Sequence, residues 1–440
     1  MRRVVPVLLG AVLAAAFLGP GTITTAARSG ASHGLALLWT LVFATVACLI
    51  LQETAARLAI ISGHDLGTAL RRRFRGQLPA RCAAGAVILG CAAYEAGNIL
   101  GGVAGAELVT SLDRRLLVAI TAGAAGLLLW FGTTRGVSTV LSVFVAVMGV
   151  GFLLTATLLR PPVGELAPGL VLPTVPAGAG LLVLGLVGTT VVPYNLFLGS
   201  GIAGGQTVGE LRYGLALAIG LGGVISMGVL VVGSAVVGEF SFEAVATVLA
   251  DRLGAWAAPL FGVGLFAAGF TSAVTAPWAA AIAARSCFGD PDDSAWGHRG
   301  RHFRGVWFGV LFFGTFAGFL GVRPIPVILL AQAANGILLP IVAVFLFVAA
   351  NDRRQLGDEG MNGPVLNLLT ALVVAITVAL GFRGLLNAGA GVLGRPVPGP
   401  GQLLVATAIV LVAVAWPTWR WIRQGRRKLI DPATASRPPR

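Results

Sequence analysis

The sequence predicts an all-α polytopic membrane protein, and three observations support that fold class. Of the 440 residues, 56% are hydrophobic and 11% are charged, whereas about a quarter of the residues in soluble domains are charged. Apolar runs of about 18 residues or more, the length that crosses a bilayer as a helix, recur along the chain, and the mean hydropathy is +0.89. Two of these runs are broken by a proline, at Pro20 and at Pro193.

Apolar runs separated by charged or Gly/Pro-rich gaps predict twelve membrane spans. Their approximate limits are residues 4–27, 34–61, 82–106, 115–132, 136–159, 179–203, 212–238, 255–284, 304–322, 325–350, 364–386 and 401–422. The first twenty residues also fit a secretory signal, because Arg2 and Arg3 precede an apolar run. No soluble domain follows this segment, so we expect it to be retained as the first span.

The distribution of arginine and lysine predicts the orientation. With the N-terminus in the cytoplasm, the cytoplasmic segments carry 22 of these residues and the outer segments carry 8. Positive residues are enriched in cytoplasmic loops, so both termini are expected there, in the inner (plasma) membrane of the cell. Two clusters, at residues 71–75 and 420–428, act as stop signals for insertion or contact anionic lipid head groups. The net charge of +14 lies in such loops, and no nucleic-acid partner is expected.

A few polar residues lie inside the predicted spans. Glu95 and Asn98 are one turn apart in the third span, where a carboxylate is expensive and usually faces the interior of the bundle. Gly97, Gly101 and Gly105 in the same span form a small-residue face suited to close helix packing. In the second span Glu53 and Arg57 have i, i+4 spacing, which predicts a structural ion pair.

The histidines and cysteines argue against a conventional metal or disulfide site. His33, His64, His298 and His302 fall in loops or at helix ends, so no span offers a histidine as a metal ligand or proton relay. The four cysteines lie in or beside apolar segments without CxxC spacing, which supports neither a disulfide framework nor a zinc site. We expect no cofactor.

The proline breaks predict an internal repeat. They fall in the first and sixth spans, so residues 4–159 and 179–350 form two five-helix halves, and an odd number of spans inverts one half relative to the other. Residues 364–422 add two helices, and residues 423–440 form a basic cytoplasmic tail. Inverted repeats with broken first helices are typical of secondary transporters with a site near the midplane. The chain has no GxxxxGK[ST] loop for nucleotide, and we expect no enzymatic activity.

Several stretches resemble the Nramp (natural resistance-associated macrophage protein) family of divalent metal transporters. The motifs lie in order over about residues 5–350, namely FLGPGT at 17–22, GLALLW at 34–39, QETAARLAIISG at 52–63, GTTVVPYNLFLGS at 188–200, Ala331-Gln332 and Leu339-Pro340. The resemblance implies a single transporter domain with a LeuT-like fold, built from two inverted five-helix repeats plus two extra C-terminal helices, about 12 spans. In the usual members it also implies alternating access and proton-coupled uptake of manganese or iron.

The chain departs from the family at the metal-binding motifs. The first-helix motif Asp-Pro-Gly-Asn is replaced by Gly19-Pro20-Gly21-Thr22, which removes a carboxylate and an amide. The sixth-helix motif Met-Pro-His-Asn is replaced by Val192-Pro193-Tyr194-Asn195, which removes a thioether and a histidine. A further histidine of the sixth helix matches Gly199. The resemblance therefore predicts the scaffold but not the usual metal ligands.

The matching positions define a predicted substrate site of neutral groups, namely Gly19, Thr22, Val192, Tyr194, Asn195 and Gln332. A bare divalent ion needs oxygen, nitrogen or sulfur donors, normally with a carboxylate to offset its dehydration. We therefore expect that the usual manganese or iron site is lost, and that these donors suit a hydrated or organic solute better. Gly19 and Val192 only widen the pocket, and Tyr194 alternatively caps the unwound backbone.

Glu95 and Asn98 match acidic positions of the family's third helix. Asn98 is neutral, so Glu95 is the one acidic residue deep in that span and is the candidate for proton coupling. A structural hydrogen bond is the alternative role for Glu95.

We therefore expect a secondary transporter of the Nramp-related type, which is a monomer in the lipid membrane. It is expected to move a small cation or small polar solute by alternating access, and transport coupled to protons is an open alternative. One alternative is a carrier of manganese, iron or hydrated magnesium that uses a non-standard site. An alternative of another class is a non-transporting sensor or scaffold. Relatives of that kind use a long soluble extension, whereas only about 20 residues follow the last predicted span.

Overall fold

The computed structural model describes residues 19–74, 77–131, 135–289, 293–392 and 399–426. In this part of the chain the regular structure is helical throughout, as predicted, with one short 3-10 turn at Ser294–Trp296. The α-helices are α1 (Pro20–His33), α2 (Leu38–Ser62), α3 (Leu66–Arg73), α4 (Leu78–Glu107), α5 (Arg114–Phe131), α6 (Arg135–Leu159), α7 (Val163–Val171), α8 (Gly180–Thr190), α9 (Pro193–Ile202), α10 (Val208–Ser234), α11 (Phe242–Leu253), α12 (Ala257–Phe288), α13 (Arg301–Phe319), α14 (Pro324–Ala349), α15 (Arg353–Gly360), α16 (Pro364–Val392) and α17 (Pro400–Arg426).

Ten helical segments of the described residues are long and apolar enough to cross a membrane, and they coincide with ten of the twelve predicted spans. The predicted first span begins with residues 4–18, outside the described part, and continues into α1. The predicted ninth span coincides with α13, whose first turn carries Arg301, His302 and Arg304 and makes this helix more polar than the ten. Residues 427–440 of the predicted basic tail also lie outside the described ranges.

The predicted break at Pro193 is present, and a helix begins at Pro20, where the first break is predicted. The residues before Gly19 lie outside the described ranges. Pro20 is the first residue of α1, and Gly19 before it is extended, with φ −70° and ψ 169°. The predicted sixth span consists of two helices, because α8 ends at Thr190 and Pro193 starts α9 after two non-helical residues. A proline lacks the N–H that an interior helical position must donate, but it is tolerated in the first turn of a helix. A helix therefore begins at each proline.

Helix α4 lies at the centre of the bundle, in contact with α1, α12, α13 and α14. Its glycine face is in close contact with these neighbours. A Cβ atom at Gly97 would lie 3.5 Å from the Ile328 backbone, and one at Gly105 would lie 2.7 Å from the Gly262 carbonyl oxygen. A side chain at Gly101 would collide with Pro20. The small residues thus let α1 and α12 approach α4, as the sequence predicts.

The predicted Glu53–Arg57 ion pair is present, with 3.0 Å between Oε1 and Nε. Arg212 at the start of α10 donates to the same Glu53 oxygen at 2.8 Å. Arg57 is buried and also donates to the Gly360 carbonyl and to the Asn362 side chain. Because a buried guanidinium needs partners for its several donors, Arg57 ties α2 to the segment between α15 and α16.

The histidines lie at helix ends, as predicted. His33 ends α1, and His64 follows α2. His298 stacks on Trp278 with 5.3 Å between ring centroids. Partial burial and the neighbouring Arg285 guanidinium lower the pKa of His298. His33 lies at the end of α1 opposite Pro20, and His298 packs against Trp278.

Candidate functional site at two helix breaks

At the first break, the side-chain position of Gly19 points toward two hydroxyl groups. The Gly19 carbonyl accepts hydrogen bonds from the backbone N–H groups of Thr22 and Ile23 at 3.1 and 3.3 Å, which starts helix α1. A Cβ atom built on Gly19 would lie 3.2 Å from the Ser272 hydroxyl oxygen and 3.8 Å from the Tyr94 hydroxyl oxygen. Gly19 therefore faces α4 and α12, and any side chain at this position would point at these hydroxyls.

The second break holds Tyr194 and Asn195 in the first turn of α9. Both side chains are buried, at 1% and 0% exposure. The Tyr194 ring meets the Tyr94 ring edge to face, with 5.7 Å between centroids and 81° between planes. Val192, the residue before Pro193, is buried and extended. The two tyrosines thus connect the second break to α4.

Thr22 and Gln332 connect the first break to α8 and α14. The hydroxyl oxygens of Thr22 and Thr189 lie 2.9 Å apart, so the first turn of α1 is hydrogen-bonded to the last turn of α8. The Gln332 amide fills the space beside Gly21, so a side chain at position 21 would have to displace it. The Tyr94 hydroxyl lies near both Thr189 and Gln332. Most of the residues predicted from sequence are therefore brought together around the two breaks.

Several buried polar atoms in this region have no hydrogen-bond partner among the described residues. They are the Tyr94, Tyr194 and Ser272 hydroxyls, the side-chain nitrogen and oxygen of Asn195, and the side-chain oxygen of Gln332. A buried polar group without a partner costs about 1–3 kcal/mol, and most such groups in proteins are satisfied. Ser272 and Tyr94 lie beside Gly19, and Tyr194 and Asn195 lie in the first turn of α9. Unpaired polar atoms concentrated in this way are expected of a site that binds a polar ligand or water.

Among the described residues the site carries no acidic side chain, because glycine occupies position 19. Within the described ranges there is no group of three or more His, Cys, Asp or Glu residues that could hold a metal ion. The donors present are hydroxyl and amide groups, which offer both acceptor oxygens and N–H or O–H donors. Such a set can hydrogen-bond to water or to a polar solute, and its oxygens can coordinate a hard cation.

Glu95 and Asn98 form a separate buried pair on α4. The Asn98 amide donates to Glu95 Oε2 at 3.3 Å, and Glu95 Oε1 has no partner among the described residues. A Cβ atom at Gly314 would lie 2.5 Å from Glu95 Cγ, so this carboxyl group packs against α13. Its neighbour Tyr94 faces the breaks instead, because consecutive residues point about 100° apart around a helix. The pair is adjacent to the site.

Sequence reasoning missed Tyr94, Thr189, Ser272 and Asn335 as residues in or beside the site. Asn335 lies one turn after Gln332, is buried at 1% exposure, and has an unpaired amide nitrogen. The available signal was a polar residue inside an apolar span, which the motif comparison did not use for these four positions. Their proximity to the breaks depends on how α4, α8, α12 and α14 pack.

The position that matches a family histidine, Gly199, is filled by a neighbouring side chain. A Cβ atom at Gly199 would lie 2.8 Å from Oε1, the side-chain oxygen of Gln52. Gln52 is buried and this oxygen has no partner among the described residues. Because Asn195 precedes Gly199 by four residues, the two lie on the same face of α9. Gln52 from α2 therefore takes the space of the missing imidazole.

The chain matches the family model described as "Natural resistance-associated macrophage protein-like" over residues 10–387. Its relatives include the divalent metal cation transporter MntH of Klebsiella pneumoniae, 25% identical over 403 residues that cover 86% of this chain and 94% of the relative. The MntH protein of Deinococcus radiodurans is 29% identical over 292 residues, which cover 62% of this chain and 67% of that protein.

Solved structures show the same fold. A mutant of the Eremococcus coleocola manganese transporter superposes with a TM-score of 0.72 at 21% identity, covering 95% of this chain and 94% of that one. Mhp1, a nucleobase-cation-symport-1 family transporter, superposes with a TM-score of 0.57 at 18% identity, covering 95% and 92% of the two chains. The LeuT-like fold implied by the sequence resemblance is thereby confirmed. With a family match over most of its length, the chain belongs to the Nramp family of membrane transporters.

Proposed function

We propose that this chain is a secondary transporter of a divalent metal cation, which binds at the two helix breaks while it retains part of its hydration shell. The observation that carries the proposal is the set of buried, unpaired hydroxyl and amide groups at these breaks in a member of a transporter family. The relatives named as divalent metal cation transporters favour this alternative over the interpretation that metal transport is lost.

The chemical nature of the donor groups determines how many water molecules a bound cation keeps. Without a carboxylate, the site has no formal charge to offset complete dehydration of a divalent cation. Waters bound to the cation donate hydrogen bonds, and the carbonyl oxygens of Asn195 and Gln332 and the hydroxyls of Tyr94, Tyr194 and Ser272 can accept them. Magnesium dehydrates reluctantly and usually keeps several waters. The site therefore favours magnesium, or manganese held through water, over a bare soft metal ion.

Alternating access would move the broken helices relative to the rest of the bundle. Residues 4–159 and 179–350 are proposed as the two inverted repeats, with residues 364–422 outside them. Thr22 and Thr189 connect the first repeat to the second at the centre, and the side chains there are buried at 1% exposure or less. This arrangement corresponds to a closed site, which opens to one side when α1 or α9 shifts.

Proton coupling through Glu95 belongs to the same proposal. Its carboxyl group is fully buried with one unpaired oxygen and follows Tyr94 in the chain. A carboxyl group in this position can take up and release a proton when the packing of α4 against α13 changes. Asn98 would orient the group through its 3.3 Å hydrogen bond.

Uptake into proteoliposomes tests the substrate. The purified protein should take up magnesium or manganese with saturable kinetics. Asn195→Leu keeps the size of the side chain but removes its donor and acceptor, so uptake at low ion concentration should fall by about tenfold or more, the effect of one lost hydrogen bond of about 1.4 kcal/mol. Thr155→Val is the matched control, because Thr155 is also buried and unpaired but lies on α6.

The same vesicles test the proton-coupled step. With an acidic exterior, Glu95→Gln should remove the acceleration of uptake by the pH gradient and leave cation binding at equilibrium unchanged. Folded wild-type protein that takes up no divalent cation, or an Asn195→Leu variant that matches Thr155→Val, would contradict the transport proposal. Undiminished acceleration in Glu95→Gln would remove Glu95 from the coupling mechanism only.

A carrier of a small polar solute is the second candidate, favoured by the absence of formal charge at the described site residues. A thermal-stability screen distinguishes the two, since a ligand that binds only the folded state raises the melting temperature. Stabilisation by a neutral or organic solute, with none by divalent cations, would support the second candidate. A sensor that does not transport would bind without uptake in the vesicle assay.

A further inference from the structure

A groove on the lipid-facing side of the bundle has the features of a lipid site. It has a volume of about 400 Å³ and lies between the C-terminal end of α14, the first half of α16 and the second half of α17. Its walls are almost entirely apolar, with Ala371, Val378 and Leu411 among the lining side chains. The polar lining groups, Asn367 and Thr418, lie near one end.

The length of the groove along α16 matches the thickness of the hydrocarbon layer of one leaflet of a bilayer. Asn367 and Val378 lie eleven residues apart on α16, a distance of about 16 Å along a helix. Half of the hydrocarbon core is about 15 Å thick. The groove therefore begins at the membrane surface, where α16 starts and α17 ends, and reaches to about the midplane.

Two arginines and two tryptophans lie at the surface end of the groove. Trp419 lines the groove and stacks on Trp416, with 5.7 Å between ring centroids. The Arg423 guanidinium lies over Trp419 at 5.0 Å from the ring centroid, and Arg420 is exposed beside it. Within the described part of the chain, neither arginine has an acidic partner. Tryptophan prefers the level of the lipid head groups, so these cations lie where a phosphate would be.

Arg420 and Arg423 differ from Arg426, whose side chain is hydrogen-bonded within the protein. Arg426, one turn further along α17, donates to the Asn351 side chain at 2.9 Å and is held within the protein. Asn351 and Asn367 exchange side-chain hydrogen bonds of 2.9 Å, which close the groove at this end on the protein side. Arg420 and Arg423 remain outside this network and are exposed.

We propose that this groove binds one acyl chain of an anionic phospholipid, whose phosphate is held by Arg423 and Arg420. The surrounding lipid tails are as apolar as the groove, so the acyl chain alone gives little selectivity. Each basic residue near the surface attracts anionic lipid. The two arginines therefore determine which class of phospholipid binds preferentially in the groove. The site is separate from the helix breaks and does not depend on the proposed substrate.

A photoactivatable phosphatidylglycerol with a diazirine in the middle of its acyl chain tests this site in nanodiscs that contain the full chain. Labelling should fall on residues 371–378 and 411–415 and should exceed labelling by phosphatidylcholine of the same chain length by about fivefold. The double variant Arg420→Gln/Arg423→Gln should reduce labelling by phosphatidylglycerol to the level of phosphatidylcholine. The control Arg299→Gln/Arg301→Gln removes two exposed arginines at the start of α13 and should leave labelling unchanged.

Ala375→Phe provides a second test, because it fills the groove and leaves both arginines in place. Labelling by both lipids at residues 371–378 should then be lost, while the melting temperature and the elution volume show that the protein remains folded. Equal labelling of the wild type by the two lipids would overturn the proposal. So would labelling that is the same in the arginine double variant as in its control, or labelling outside the groove.

Discussion

At the scale of single residues, the site is distinguished by neutral groups where the family has a carboxylate and a histidine. Gly19 leaves space in front of Ser272 and Tyr94, and Gln52 takes the space beside Gly199. These changes keep the helix breaks, because Pro20 and Pro193 are retained. They replace formal charge by hydroxyl and amide groups, so the cation binding that we propose must come from several weaker contacts.

Restoring the carboxylate tests this account. Gly19→Asp places an acid where its Cβ would lie 3.2 Å from the Ser272 hydroxyl, and Ser272 must move by a few tenths of an ångström. We expect manganese to bind about tenfold more tightly, since the charge offsets part of the dehydration cost. Gly19→Asn has nearly the same size without the charge and serves as the control. Isothermal titration that gives equal affinities for the two variants would contradict the role assigned to charge.

At the scale of helices, the glycines of α4 and α12 hold the scaffold against which the broken helices lie. A Cβ at Gly102 would lie 3.4 Å from the Gly269 Cα atom, and one at Gly269 would lie 2.7 Å from the Asn98 carbonyl oxygen. Helices that meet this closely lack room for a methyl group. The Glu95–Asn98 pair lies on the same α4 segment, so its position depends on this contact.

Gly269→Ala should therefore destabilise the protein by about 1–3 kcal/mol, the usual cost of overpacking a tight contact, and should lower the melting temperature in detergent. Gly123→Ala is the control. A Cβ there meets no atom within 4 Å, and replacing a helical glycine by alanine stabilises by about 0.5–1 kcal/mol. A Gly269→Ala protein that melts at or above the control would show that α4 and α12 separate without cost.

At the scale of the whole molecule, the distribution of positive charge predicts that both termini are cytoplasmic. The native cysteines provide a test, because Cys82 is exposed at the start of α4 and the other three, Cys48, Cys91 and Cys287, are buried. A membrane-impermeant maleimide should label Cys82 in inside-out vesicles and not in right-side-out vesicles. Cys82→Ser/Asp113→Cys moves the thiol to the opposite end of the bundle and should give the reverse result. Labelling of Cys82 from outside would invert the proposed topology.

The sequence by itself determined the membrane class, the positions of ten spans and the helix break at Pro193, because apolar length and proline act locally along the chain. It also predicted Thr22, Tyr194, Asn195 and Gln332 as site residues through family motifs, and these stay predictions. Only the tertiary structure decided that Tyr94 and Ser272 face the first break, and that Glu95 packs against Gly314 on α13. Those relations depend on how far each helix is rotated about its axis, and rotation is set by the glycine contacts between helices that are distant in the sequence.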